Sequence, residues 1–533
     1  MKKLLLTLIA SFAFCGLIFA QGVTPYWEDI NASMFNDHDP IVTMVSLDNN
    51  LFLHTDNYAN IEVGAFVEVN GNEDYRGHGF MNSYEAYGDP YPVLEMEIYY
   101  QPLDNENESS LPVHFKMYDH GTGTLYDYFT CDKNIVTQTM YNTYNFSVMP
   151  TISFFHTFTK EINPYTENGG YYLIASPLNE AVNASDVIGL RTPEFDFYSF
   201  DQNQELEWIN HRNEENYQLQ SGKGYLYANS TGEDLIFVGA PYNGDGSVTL
   251  EKYEGTNVEF SGWNLVGNPF AQTAYIDRDE FYVMKQDGSE IIVADRDTIS
   301  AMEGIFVIAQ NDGESVTFSA TAGPAKGQIV LNVTNRGNVI DRAIVRFGQG
   351  GTLPKFMLNQ NNTKMYLSKD GEDFAVVRSN RSGSLPVNFE PAKDGTYISS
   401  GLVQNMKNVR YLHLIDNELG TDVDLLRTPE YKFEAKTVDR SDRFVLVFST
   451  SNVFNTKSTN VGNEDDFGFF SNGNWVISNE GEAILQVVDV NGRVLSSEEI
   501  NGSVSKRIEA APGIYMLRLI NGKDMKVQKI VVE

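Results

Sequence analysis

Hydrophobic and polar positions in this chain alternate in short runs, each closed by glycine, asparagine, aspartate or proline. A period of two sends successive side chains to opposite faces, so each run predicts a strand. Residues 61–67 read this way, residues 94–100 alternate cleanly, and Val113, Phe115 and Met117 share one face of a further strand. Between them, Tyr75-Arg76-Gly77-His78-Gly79 and Asp119-His120-Gly121-Thr122-Gly123 read as turns. No helical period of 3.6 competes in this region. Near the C-terminus Ile484, Gln486, Val488 and Val490 alternate with Leu485, Val487 and Asp489. The pairs Asn491-Gly492, Asn501-Gly502 and Asn521-Gly522 supply the positive-φ positions of tight hairpins, and Pro512-Gly513 breaks the chain before residues 514–519. The expected fold is all-β: several tandem β-sandwich or Ig-like domains.

The middle of the chain is duplicated. Gly170-Tyr171-Tyr172-Leu173-Ile174-Ala175-Ser176-Pro177-Leu178 lines up with Gly262-Trp263-Asn264-Leu265-Val266-Gly267-Asn268-Pro269-Phe270. Phe197-Tyr198 then matches Phe281-Tyr282, and Gly224-Tyr225-Leu226-Tyr227-Ala228 falls opposite Gly304-Ile305-Phe306-Val307-Ile308. A repeat this long is a whole β-unit, and two adjacent copies can share a core. The expected organisation is a signal peptide at 1–20, an N-terminal β-sandwich module at 21–158 and a duplicated module at 159–325, with copies at about 168–250 and 260–325. A further β-rich module at 326–450, a polar linker at 451–466 and an Ig-like domain at 467–533 complete it. The last domain is expected to stand apart on its tether.

Lys2-Lys3, an apolar run from Leu4 to Ala20 and a small residue before Gln21 make the secretory signal. No later apolar run is long enough to span a bilayer as a helix, so no transmembrane span is expected in the mature chain. Only Cys131 follows the signal, which leaves no intramolecular disulfide and puts the burden of stability on core burial. The net charge of −34 repels a phosphate backbone, so nucleic acid is not an expected partner.

The final segment, with Asp489-Val490-Asn491-Gly492-Arg493, Pro512-Gly513-Ile514-Tyr515 and the closing Lys526-Val527-Gln528-Lys529-Ile530-Val531-Val532, resembles the type A C-terminal sorting domain of Bacteroidota type IX secretion cargo. Such domains often begin near a Pro-Asn-Pro element, where this one opens on Phe469-Phe470-Ser471-Asn472-Gly473-Asn474-Trp475. The resemblance makes Asp489, Gly492, Arg493, Gly513, Tyr515, Lys526 and Lys529 the sorting-signal motif and the type IX translocon the partner during export. It implies passage across both membranes to the cell surface, attached to the outer membrane from outside, or to the extracellular space. The body resembles β-rich modules of Bacteroidales surface proteins. Its Val63-Gly64-Ala65-Phe66-Val67 and Arg76-Gly77 series is similar to a recurrent sandwich module, and both central copies are similar to a "GWNLxxxP…GxGY" repeat.

Catalytic signatures are missing from the sequence: it has no HExxH, GxSxG, GxxxxGK[ST] or GxGxxG. Among the eight histidines, His114 and His120 are the closest pair and flank a strand end. Cys131 reads as a buried strand residue rather than a nucleophile. With 72 acids, sequence singles out no carboxylate pair for glycoside hydrolysis. Asn243, Asp245 and Ser247 present oxygens at alternate positions, a weak calcium pattern with Glu254 in twelfth place. Val248 nevertheless replaces the required glycine, and a hairpin turn at 243–246 is the competing reading. No other cofactor is expected. Tyr84, Tyr87 and Tyr91 cluster in a loop where they either stack on a sugar ring or cap the sandwich by packing. The expectation is a non-catalytic adhesin or structural surface component with a surface glycan or host protein as partner. The alternative is a glycan-binding or glycan- or peptide-hydrolysing surface protein.

Overall fold

The computed structural model describes residues 24–532 except 54, 84–90, 104–107, 139–147, 167–168, 254–259, 279, 324–325, 349, 358–360, 380–381, 408, 450–466, 472–473, 480 and 523. The signal peptide, the linker and Tyr84 and Tyr87 lie outside the described residues. Strands dominate, and the helical turns among the described residues are the 3-10 segments Ala32–Met34 and Tyr58–Asn60. The protein is all-β, and it divides into two compact units.

The first unit gathers Met1–Glu161, Pro177–Leu190 and Asp234–Asn243. Its main sheet places Ile61–Val69 between Val113–Asp119 and Asn72–Asn82, followed by Val93–Pro102 and Phe35–Leu47. Val63, Ala65, Val67, Phe115 and Met117 are buried in one core, as the alternation requires. A separate ribbon pairs Thr157–Lys160 with Leu235–Val238. The predicted turn at residues 75–79 is instead part of the strand Asn72–Asn82. Its glycines serve close strand packing instead, since a Cβ at Gly77 or Gly79 would strike Glu97 O or Glu95 O, and Arg76 is fully buried with two hydrogen bonds to Glu108, at 2.6 and 2.9 Å. The turn at 119–123 forms as predicted, closed by Gly123 N–H on Asp119 O at 2.7 Å.

The second unit comprises Ile162–Ser176, Arg191–Glu233 and Gly244–Glu533. Two four-stranded sheets have the same strand order. One is Tyr172–Ala175, Gly224–Asn229, Phe195–Phe200, Trp208–Asn210, and the other is Trp263–Gly267, Gly304–Ile308, Tyr282–Met284, Ile291–Val293. Register is preserved residue for residue. Leu173 faces Leu226 as Leu265 faces Phe306, and Tyr198 faces Leu226 and Asn210 as Tyr282 faces Phe306 and Val293. No hairpin forms at residues 243–246, because Leu235–Val238 pairs with Thr157–Lys160 whereas Ser247–Thr249 pairs with Ser315–Ser319.

An eleven-stranded sheet follows, running from Gln328–Asn335 to Phe444–Ser449. Its Val330, Ile344, Leu353 and Val376 meet Trp263, Leu265, Tyr282 and Phe306 of the second repeat sheet in one apolar core. The tail has a three-stranded sheet and a four-stranded sheet around Trp475, Ile477, Leu485, Val487, Leu517 and Ile530, and it shares no strand with the preceding sheet. It does not stand apart, however. Val476 packs on Ile415 and Val447, Tyr411 Oη lies 2.7 Å from Ser503 Oγ, and Ser503 N–H donates to Asp422 at 2.9 Å. The polar Ser451–Asp466 composition spoke for a tether and carried no information about this small apolar contact.

Candidate functional site

A cleft of about 510 Å³ opens in the second unit where the first repeat sheet, the second repeat sheet and the Lys355–Lys364 region meet. That size suits a specific ligand, since such sites commonly span about 300–1,000 Å³. One wall is the face of the first repeat sheet whose Leu173 and Phe200 are buried against the second copy. Strand alternation puts Tyr198 and Phe200 on that face, with Leu226 and Trp208 beside them. Tyr171 stands at the rim, its hydroxyl donating to Asp196 at 3.0 Å. Met284 and Ile291 supply the opposite wall, and Phe356 closes the end.

Tyr171 is held in place by a tight backbone contact. Gly288 has φ +67°, and a Cβ there would collide with Tyr171 N and O and with Gly170 N. Gly170 and Tyr171 donate N–H groups to Asp287 O and Gly288 O at 2.9 and 3.1 Å. A side chain at 288 is therefore excluded twice, by conformation and by space.

Three carboxylates and two lysines line the cleft: Glu207, Glu290, Asp341, Lys355 and Lys364. The deepest, Asp341, is already neutralised, taking Lys355 Nζ at 2.5 Å and Met365 N–H at 2.7 Å. Burial raises the Glu290 carboxyl above the ordinary glutamate range, Lys285 at 3.5 Å opposes this, and the charge of Asp341 adds to it. Glu207 is half-buried on the aromatic side.

A second polar constellation lies in the first unit. The Glu62 side chain is fully buried and accepts from His78 Nδ1 at 2.5 Å, His120 Nε2 at 2.7 Å, Tyr26 N–H at 2.8 Å and Trp27 N–H at 3.3 Å. It pins residues 26–29 across the sheet, where Tyr26 stacks on Tyr118 at 4.0 Å and Gly64 leaves room for the Trp27 ring. His114 and His120 do not come together as a pair; His114 lies beside Phe129, and His120 joins His78 across Glu62. Neither this cluster nor the cleft was visible as a site in the sequence. The strand register brings Glu62, His78 and His120 together, whereas the duplication did mark Tyr171 and Tyr198 as counterparts of Trp263 and Tyr282.

Among the predicted ligand residues, Tyr91 is half-buried just before the strand Val93–Pro102. Asn243 belongs to the first unit, while Asp245 and Ser247 belong to the second, where Asp245 Oδ1 accepts Ser247 N–H at 2.9 Å in a local turn. Among the described residues no group of three or more His, Cys, Asp or Glu side chains is placed to hold a metal ion. Cys131 ends the strand Phe129–Cys131, half-buried, and burial pushes its thiol up.

In the tail, Asp489 accepts N–H groups from Asn491 and Arg493, both at 2.9 Å, and the Arg493 guanidinium at 3.2 Å. These bonds, that of Arg493 first, hold its carboxyl below the usual aspartate range. Gly492 alone supplies positive φ, at +82°, and Asn491 does not share it. The Tyr515 hydroxyl ties back to Ala511 O at 2.7 Å, near Gly513. Lys526 and Lys529 are exposed on the last strand. Buried Gln528, which sequence reading passed over, accepts Phe467 and Gly468 N–H at 2.9 and 2.7 Å and so joins the two sheets. Ile484, Ile514, Met525, Val527 and Val531 are all exposed on the tail.

The family described as "Secretion system C-terminal sorting domain" matches residues 471–533. The chain thus carries a type IX sorting tail and is cargo of that machinery, exported to the cell surface or the extracellular space. No curated protein matches the chain. Among solved structures, a chain titled "Biofilm associated protein - BSP domain" aligns over 97% of this chain and 99% of its own, at 9% identity and a TM-score of 0.12. That score carries no argument about function. No helix among the described residues is long and apolar enough to cross a membrane.

Proposed function

We propose that this exported protein is a non-catalytic attachment component that makes contact through the aromatic cleft of its second unit. The observation that carries this reading is an open, aromatic-walled cleft whose deepest carboxylate, Asp341, is already bound by Lys355 and a backbone N–H. Aromatic side chains offer large, rigid contact area at low entropic cost, while a carboxylate spent on an internal lysine is a poor acid or base. The test is attachment of the mature chain, coated on beads, to arrays of glycans and extracellular-matrix proteins. Tyr198→Ala combined with Glu207→Lys should abolish retention without changing the melting temperature. Retention that persists in this variant refutes the cleft as the contact site.

One observation favours a second reading, hydrolysis: Glu290 has the raised carboxyl that a general acid needs, in the same cleft as Glu207. In that case turnover of a glycan or peptide substrate disappears in Glu290→Gln while binding survives.

A further inference from the structure

The two central copies are equivalent in register but differ in what covers their faces. In the second copy Tyr282 is fully buried beneath Phe356, whose ring lies 5.3 Å from that of Tyr282, 4.7 Å from Trp263 and 5.3 Å from Phe306. The Tyr282 hydroxyl donates to Pro354 O at 2.7 Å and accepts Phe356 N–H at 2.8 Å, so it grips the backbone on both sides of Lys355. Lys355 reaches the buried Asp341. The second copy therefore holds an extended segment of its own chain, with an aromatic ring in the slot and a cation on a carboxylate beside it.

In the first copy the corresponding positions are Tyr171, Tyr198 and Leu226, and in front of them is the open cleft. Glu207 lines this cleft, where Glu290 has Lys285 at 3.5 Å and Asp341 has Lys355. Asn210, at the place of Val293, stands opposite Tyr198 on the neighbouring strand. A phenol has one donor and two acceptor positions, so capacity for a backbone group remains.

We infer that the cleft receives an extended segment of a partner protein presenting an aromatic side chain next to a lysine or arginine, the same chemistry that Leu353–Phe356 supplies to the second copy. This rests on the cleft being the contact site. Charge complementarity with Glu207 selects the basic neighbour, and the ring slot selects the aromatic one.

The probe is the blocked peptide Leu-Pro-Lys-Phe-Met, the sequence of residues 353–357, titrated against the full mature chain with tryptophan fluorescence and calorimetry. Saturable binding is expected, weakened at least tenfold when the peptide's phenylalanine becomes alanine or its lysine becomes glutamate. Glu207→Lys should weaken the lysine peptide and strengthen the glutamate peptide, a reversal that a merely structural role of Glu207 cannot produce. Failure of the peptide to bind, or loss of affinity without the charge reversal, overturns the inference, as does preference for a neutral hexose oligosaccharide. If the peptide fails while the cleft variants still abolish bead retention, the occupant is wrong and the contact site stands. If the peptide binds and retention ignores the variants, the contact reading falls instead.

Discussion

Glu62→Gln should release residues 26–29 without unfolding the sheet beneath them. The carboxylate holds residues 26–29 through Tyr26 N–H at 2.8 Å and, more weakly, Trp27 N–H at 3.3 Å, and the two histidines use its remaining lone pairs. Glutamine keeps the shape but has one acceptor oxygen and turns a donor toward groups that are themselves donors. A hydrogen bond to a charged group contributes about 1.5–3 kcal/mol, so losing the stronger of the two, with partial loss of the other, costs about 2–3 kcal/mol. That is roughly a 30- to 150-fold fall in amide protection. Burial alone would raise the Glu62 carboxyl, but its hydrogen bonds, that of His78 foremost, outweigh burial and lower it from 4.5. Burial likewise opposes charge on His78, but Glu62 and Asp29 outweigh it and raise the imidazole from 6.5. A lowered carboxyl stabilises above its ordinary value and fails as pH falls through the folded one. A raised imidazole stabilises below its ordinary value and fails as pH rises through the folded one. The strap should therefore be held best between the two ordinary values, 4.5 and 6.5, and loosen above them as His78 loses its proton. Hydrogen exchange of the Tyr26 and Trp27 amides, corrected for intrinsic rate, measures this directly. Equal protection in Glu62→Gln and the parent at pH 5.5, or a flat parent profile from pH 5 to 8, would refute the reasoning.

Gly288→Ala forces a Cβ into the Gly170–Tyr171 backbone at a positive φ; the expected cost is about 2 kcal/mol in a melting experiment, with weaker retention on the array because Tyr171 shifts. Asp416→Ala removes the main partner of buried Arg443, which donates to Asp416 Oδ2 at 2.7 Å and lies over Phe433 and Phe444, and leaves it Glu418 at 3.1 Å and Glu434 O at 2.8 Å; it should destabilise the second unit by about 3 kcal/mol in urea denaturation. The Asp416 carboxyl is lowered by Arg443 and Tyr431 against the effect of its burial, so the parent should lose this contribution as pH falls below the ordinary aspartate value of 3.8 while the variant has none to lose. Deleting residues 467–533 should leave the remainder folded in the periplasm, and fractionation with surface proteolysis reads the outcome. The same deletion exposes Ile415 and Val447, so the truncated chain should bind more of a hydrophobic dye.

What could be read from the sequence was whatever is local. Alternation at Val113, Phe115 and Met117 exposed the buried face directly, and the tail motif identified its fold and its role. Strands with atypical composition escaped. Ser382–Glu390 carries Gly383 and Pro386, yet Pro386 faces only Val445, since the neighbouring Lys364–Lys369 begins to pair one residue later, at Val387. Proline is tolerated where one side of a strand has no neighbour, which composition alone does not reveal. In the tail both strand faces carry apolar residues, Ile484 and Val488 on one and Leu485 and Val487 on the other, and Leu485 and Val487 pack against Trp475 and Ile530. Asn501-Gly502 read as a hairpin, but it carries the chain from one tail sheet to the other.

The cleft shows a different limit. Duplication preserved Tyr198 and Tyr282 as equals, and sequence alone gives no reason for one to be covered and the other open. The difference is made by Phe356, far along the chain, which can reach only one of two equivalent faces. The segment that fills the second face ends at Phe356, and Phe356 itself walls the cleft on the first. A chain with one such segment and two such faces leaves one aromatic slot uncovered. Exposing that surface costs stability, a cost that the partner proposed for the cleft would offset.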